Sequence, residues 1–177
     1  MDDVVMTRDT IMLGYVTIEP YGSTDQLLKS VAAALRLNGL RIAGALGHQG
    51  PVSSDGRHHM DLAILSTGEV IRISQDLGPA AKGCRLNIQE LTRAAGQVAG
   101  DLGNKPDLLI LNKFGKTEAE GGGFRAVIAE AILQDVPVLI AVGRGGAAEF
   151  ATFAQGLETP LPSTVDAIVA WAKAAKD

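Results

Sequence analysis

The sequence predicts an α/β protein: an open, mainly parallel sheet with helices on both faces and one inserted β-hairpin. Short apolar runs alternate with longer stretches of helical period. Two of these runs, "DLLILN" and "PVLIAV", are almost continuously apolar, as strands covered on both faces require. A pair of alternating segments, "MDLAILS" and "EVIRIS", flanks Thr67-Gly68 and reads as a hairpin.

Each element follows in order. Residues 11–18 read as a buried strand. The turn "EPYGSTD" leads into a helix at 24–38, with Leu27, Leu28, Val31 and Leu35 on one face. Ser23 with Gln26 three residues on fits a capping box, and Gly39 fits the stop. A strand at 41–47 completes a strand–helix–strand crossover. After the hairpin comes the turn-rich loop "QDLGPAAKGCRLN". A helix at 88–102 follows, capped by Asn87 with Glu90 three residues later and burying Leu91, Ala95, Val98 and Leu102. The strand "DLLILN" precedes a helix at 122–134 that buries Phe124, Val127, Ile128, Ala131 and Ile132. After "PVLIAV", helices at 147–155 and 163–176 anchor on Phe150, Phe153, Ile168 and Trp171. Residues 1–10 read as a flexible tail, and 11–177 as a single domain.

Composition removes several functions. With 177 residues, 46% of them hydrophobic and 20% charged, the chain has enough apolar material for a sizeable core. A net charge of −4 and 4% aromatic residues argue against general nucleic-acid binding. No apolar run has the length of a membrane span, and the acidic, mixed N-terminus is unlike a secretory signal. The one cysteine, Cys84, has no internal disulfide partner, so the chain is expected in the cytoplasm.

The chemistry collects at one edge. In an open α/β sheet, ligands bind beyond the carboxyl ends of the strands. Four glycine-bearing loops leave strands there: "EPYGSTD", "GHQG", "NKFGKTEAEGGGFR" and "GRGG". The first and third run into helix N-termini, at Gly22, Ser23 and Thr24 and at Gly121, Gly122 and Gly123, where backbone N–H groups favour anions. Lys113, Lys116, Arg125 and Arg144 lie in these loops, with Lys82 and Arg85 available from the loop before Asn87. Together they predict a site for a small anionic ligand, phosphate or another oxyanion.

The individual motifs refine this expectation. A working phosphate loop, GxxxxGK(S/T), needs a lysine for the phosphates and a hydroxyl for magnesium. Here no lysine follows the first strand before Lys29, and Asp25 lies near where it would be. The third strand ends in Asn112, which brings no charge to a metal; Glu118 and Glu120 are the remaining candidates for a general base. His58 and His59 would face opposite ways on a strand, so no metal site is assigned to them. Cys84 stands between Gly83 and Arg85, where basic neighbours favour a thiolate, but an idle cysteine is the simpler reading.

The segments "RISQDLGPAAKGCRLN" and "LLILNKFGKTEAEGGGFR" resemble the bacterial family catalogued as domain of unknown function 2478. The resemblance extends from "YGSTDQLL" to the helix of Trp171. That family is similar in turn to small phosphate-loop nucleoside-triphosphatases. Their third-strand motif runs aspartate, glutamate, an apolar residue, glycine and, two residues further, glutamate. Gly115 and Glu118 match it, whereas Asn112 and Lys113 replace the two acidic groups. The resemblance thus implies a phosphate-loop scaffold with a degenerate first motif. Family members often accompany molybdate-transport and nitrogenase functions, which implies a place in molybdenum metabolism.

The leading expectation is therefore a nucleotide- or oxyanion-binding protein with weak or no hydrolysis. Lys113, Lys116 and Arg125 would neutralise the anion, the Gly121, Gly122 and Gly123 backbone would cradle it, and Arg144 would close the pocket. One alternative is an active nucleoside triphosphatase in which Lys113 or Lys116 replaces the loop lysine and Glu118 positions water. Another is a non-enzymatic carrier, regulator or adaptor for molybdate or tungstate. The ligand itself is not identified; a nucleotide with Mg2+, molybdate and tungstate are the candidates. The "GRGG" loop and the hairpin are candidate faces for a homo-oligomer.

Overall fold

A computed structural model describes residues 12–18 and 23–177. The tail expected at 1–10, Gly22 and most of the first loop lie outside the described residues.

Seven strands form one sheet in the order β4-β3-β2-β5-β6-β1-β7. They are β1 (Leu13–Thr17), β2 (Ile42–Val52), β3 (His58–Ile64), β4 (Val70–Arg72), β5 (Leu108–Phe114), β6 (Val138–Val142) and β7 (Glu158–Pro160). β2, β5, β6, β1 and β7 run parallel, and β3 is antiparallel to both β2 and β4. The helices are α1 (Ser23–Leu37), α2 (Ile88–Asp101), α3 (Lys116–Ala119), α4 (Arg125–Leu133), α5 (Ala147–Ala154) and α6 (Val165–Lys176).

Alternation along the central strands sorts the core into two layers, because successive side chains point to opposite faces. Leu108, Ile110, Leu139 and Ala141 pack with Leu28, Val31 and Leu35 of α1 and Ile168 of α6. Leu109, Leu111, Val138 and Ile140 pack with α2, α4 and α5 through Leu91, Val98, Ile128 and Phe150. Leu28, Val31 and Leu35 are fully buried, each stabilising the fold by about 1.5–3 kcal/mol. Asn87 caps α2 as expected, its side chain accepting hydrogen bonds from the backbone N–H groups of Gln89 and Glu90.

Several elements differ from expectation. The helix expected at 122–134 begins only at Arg125, because Gly121 and Gly123 take positive φ angles of 98° and 56° that break the helical path. A separate turn of helix, α3, precedes those glycines and carries Lys116 and Glu118. Ser23, expected as the cap, is instead the first helical residue of α1, and the residues before it lie outside the described residues. β7 appears where only a connection was read. The second strand runs on to Val52, past the residues 41–47 expected for it, and pairs with β3 beyond Ala45.

Candidate functional site

The sheet forks at its carboxyl edge. β2 and β5 are paired from Ile42↔Leu108 to Ala45↔Leu111, and there their register ends. Beyond that point β2 follows β3, with Leu46↔Ala63, Gly47↔Leu62 and Gln49↔Met60. β5 stays with β6, but its register shifts between Leu111 and Phe114, where β5 carries one more residue than β6. A bulge of this kind bends a strand and re-aims its side chains. The residues at the shift are Asn112 and Lys113.

A cavity of about 970 Å³ occupies the fork. One prong supplies Asn112, Lys113, Gly115, Lys116, Thr117 and Glu118. The other supplies Gly47, His48 and Gln49 of β2 with His58 to Leu62 of β3, backed by Ile73, Cys84 and Leu86. The first turns of α1 close one side with Asp25, Gln26 and Lys29, while Leu91 and Phe124 reach in from the opposite face of the sheet. The wall thus carries cations at one end and apolar and imidazole surface at the other.

Glu118 has the best-defined surroundings. It is only 5% exposed, and its two carboxylate oxygens accept the backbone N–H groups of Gly115 at 3.0 Å and Phe124 at 3.2 Å. The first bond is the half of a capping box that a glycine N-cap permits. The second draws the glycine turn around the carboxylate: a Cβ on Gly123 would lie 2.2 Å from Glu118 Oε1. Gly121, Gly122 and Gly123 therefore wrap a side chain of their own chain, and they do not form part of the cavity wall.

The expected cations divide into two groups. Lys113 and Lys116 line the cavity, and Lys29 joins them from α1. Lys116 is 87% exposed and lies 3.8 Å from Glu120, one helical turn on, a pairing of little energetic weight at such exposure. Arg125 turns elsewhere: its Nη1 donates to the carbonyls of Glu118 and Ala119, and its guanidinium lies 5.0 Å from the Phe153 ring centroid. Arg85 donates to the His58 carbonyl at 3.2 Å and pairs with Asp55 at 3.8 Å. Among the described residues, Arg125, Arg85, Lys82, Arg144, Ser23 and Thr24 are not part of the cavity wall.

The outer prong is held by a network of its own. At the tip between β2 and β3, the Ser53 hydroxyl and the Arg57 backbone N–H hold the Asp55 carboxyl well below the usual carboxylate range. Ser54 donates its hydroxyl and its backbone N–H to Asp76, which also keeps that carboxyl low. Together with Arg85, these bonds fasten the loop bearing Cys84 to the hairpin. His58 Nδ1 lies 2.7 Å from the Gly50 carbonyl, and His59 Nδ1 lies 2.9 Å from Ser74 Oγ. The two rings are thus tied to different neighbours. Asp61 is buried and paired with Arg72 at 3.1 Å. Asp25 has no ion pair or hydrogen bond among the described residues; it packs over Gly47, where a Cβ would lie 2.6 Å from its Oδ2. No group of three or more His, Cys, Asp or Glu side chains among the described residues is arranged to hold a metal ion.

Sequence reasoning missed Lys29, His48 and the inclusion of His58, His59 and Cys84 in the wall. The signal for Lys29 was its place one turn inside the first helix. The others depend on the divergence of β2 from β5, which no local pattern announces. Among the described residues, no helix is long and apolar enough to cross a membrane.

The chain is 34% identical over 156 residues to a molybdenum import ATP-binding protein of Bradyrhizobium diazoefficiens; the match covers 88% of this chain and 17% of that much longer protein. It superposes on the solution structure of a human cancer-related nucleoside triphosphatase with a TM-score of 0.61 and 15% identity, covering 84% of this chain and 87% of the other. At that identity the likeness is one of fold alone: an open, mainly parallel sheet flanked by helices. Residues 13–171 match the family described as "Protein of unknown function (DUF2478)", and the chain belongs to it.

Proposed function

We propose that the fork binds a nucleotide or a similar organic anion, with weak or no hydrolysis. The observation that carries this reading is the two-ended wall of the cavity. Lys113 and Lys116 of one prong, with Lys29 of α1, give the wall its cations, and Met60, Leu62, Ile73 and Leu86 form an apolar end across the outer prong. The volume of about 970 Å³ lies at the upper end of the range for drug-sized ligands, roughly 300–1,000 Å³. β3 lies two strand spacings from β5, roughly 10 Å, where β2 pairs with both, and further away where the strands part; the cavity between them is lined by Lys113 on one side and β3 on the other. A tetrahedral oxyanion alone would use only the cationic end.

Weak or absent hydrolysis follows from the acidic groups. Glu118 spends both oxygens on backbone N–H groups, so a role as general base would first require breaking the turn. Asn112 brings no charge, and Asp61 is paired with Arg72. Asp25 is the carboxylate left to meet a magnesium ion. That suits an ion carried in on the ligand's phosphates with most of its own water, as Mg2+ favours, more than a site built by the protein.

A molybdate- or tungstate-handling role is the second reading, favoured by the name of the Bradyrhizobium relative. The chain spans 17% of that protein, so the ATP binding in its name can belong to the unmatched part. A thermal-shift panel separates the readings: nucleoside mono-, di- and triphosphates with and without Mg2+, pyrophosphate, molybdate, tungstate and sulfate. A ligand at 100 times its Kd stabilises by about 2.7 kcal/mol, which corresponds to roughly 5–10 °C for a domain of this size. A shift with nucleotides supports the first reading, and a shift with molybdate or tungstate alone supports the second. No shift with any of them refutes both.

A further inference from the structure

We infer that His58 reads the base of the bound nucleotide, accepting a hydrogen bond at Nε2 from an N–H of that base. This rests on the nucleotide reading above and adds to it a residue that selects among ligands. His58 opens β3 on the outer prong, opposite Val52 of β2, and lines the cavity. Its Nδ1 faces the Gly50 carbonyl at 2.7 Å. A carbonyl oxygen can only accept, so Nδ1 carries the hydrogen. The neutral ring then presents a lone pair at Nε2. Among the described residues Nε2 has no partner, so the tautomer is set by the protein while the acceptor is left for a ligand. Arg85, which donates to the backbone carbonyl of the same residue, and the closure of the tip at Ser53 and Asp55 hold the strand end that carries the ring.

The neighbours suit this role. Met60, Leu62, Ile73 and Leu86 offer the ring system of a base an apolar surface. Lys113 and Lys116 on the other prong line the same cavity and supply positive charge for the phosphate. A base with an amino or ring N–H gains the bond to Nε2, and a base without one leaves the imidazole facing water or an apolar edge. A single neutral hydrogen bond of this kind discriminates by about 2- to 10-fold.

The test compares AMP and CMP with purine riboside and zebularine 5′-monophosphates, which lack the exocyclic amine, by calorimetry on the full chain near pH 7.5. The wild type should bind each parent about 2- to 10-fold more tightly than its analogue. His58→Asn retains a side-chain N–H where Nδ1 stood, keeping the bond to Gly50, but has nothing at the Nε2 position. It should fold normally, bind parent and analogue equally, and still bind pyrophosphate like the wild type. His58→Gln, whose amide reaches the Nε2 position, should restore part of the preference. Alkylation of Cys84, the sole cysteine, gives an independent readout. Nucleotides should slow it, because the base lies against that wall, whereas pyrophosphate should not. Nucleotide binding without preference for the parents, or a preference that survives His58→Asn, overturns the assignment to His58 alone. Failure of every nucleotide to bind removes the nucleotide reading itself.

Discussion

Replacing Glu118 by glutamine tests whether this residue holds the loop or performs chemistry. The substitution preserves shape and buried volume but removes the charge and one acceptor. In the wild type both oxygens receive backbone N–H groups, from Gly115 and Phe124, at a residue 5% exposed to solvent. After substitution one of those donors faces an amide NH2. A hydrogen bond to a charged group contributes about 1.5–3 kcal/mol, and a buried donor left unpaired costs a similar amount. Because the turn can relax toward solvent, the expected loss is about 2–3 kcal/mol, less than the sum of the two contributions. For a domain of this size each kcal/mol shifts the melting midpoint by about 2–4 °C, so Glu118→Gln should melt roughly 5–10 °C lower. Calorimetry with a parallel urea titration measures both quantities. A midpoint within about 1 °C of the wild type, together with loss of a measurable phosphate release, would refute the structural role and restore the residue as a base.

The other expectations can be checked in the same preparations. Gly123→Ala should cost about 2–4 kcal/mol in urea unfolding, since it adds left-handed strain to a Cβ contact of 2.2 Å with Glu118; Gly121→Ala, which has nothing nearby to strike, should cost less. Alanine at Lys29, Lys113 or Lys116 should weaken nucleotide and pyrophosphate binding by about 3- to 10-fold each, with no more than about 0.5 kcal/mol change in stability, and the wild-type affinity should fall as salt rises. Equal affinity in all three variants would remove the cationic end of the site. The Asp55 carboxyl is depressed in the folded state, so its contribution is complete above the ordinary carboxylate range near pH 4 and declines as pH falls toward the folded value. The midpoint gap between wild type and Asp55→Asn should therefore stay constant from pH 7 to about 5 and shrink below about 4; a gap unchanged at pH 3 contradicts the network at the hairpin tip.

Much of the fold was legible because the chain obeys local rules. The period of α1, the Asn87 cap and the continuous apolar runs of β5 and β6 each specify their element without help from distant residues. The exceptions have physical causes. "GHQG" reads as a loop after the second strand, yet β2 continues through it to Val52, shifting its register with β3 between Gln49 and Val52. β7 is three residues long and depends on β1 for its existence. The stretch from Lys113 to Arg125 has the composition of an anion loop, but its charges diverge once folded: Lys113 and Lys116 reach the cavity, Arg125 turns back on α3, and Glu118 faces inward. Only tertiary packing decides such directions. The cavity lies at the edge where the sequence gathers its loops, beside β5, but only some of the expected side chains, among them Asn112, Lys113 and Lys116, line it.

The fork also bears on how the molecule opens. β2 belongs to the main sheet as far as Ala45 and to the hairpin thereafter, so two separately braced bodies share one strand. Where the strands part, the peptide groups on their facing edges lose each other as partners and become available to whatever fills the gap. A ligand lying there acts as a cross-tie between the bodies. Fluctuations that let β3 and β4 peel from the sheet would then be suppressed in proportion to occupancy, and hydrogen exchange in the hairpin would report binding that takes place against β5.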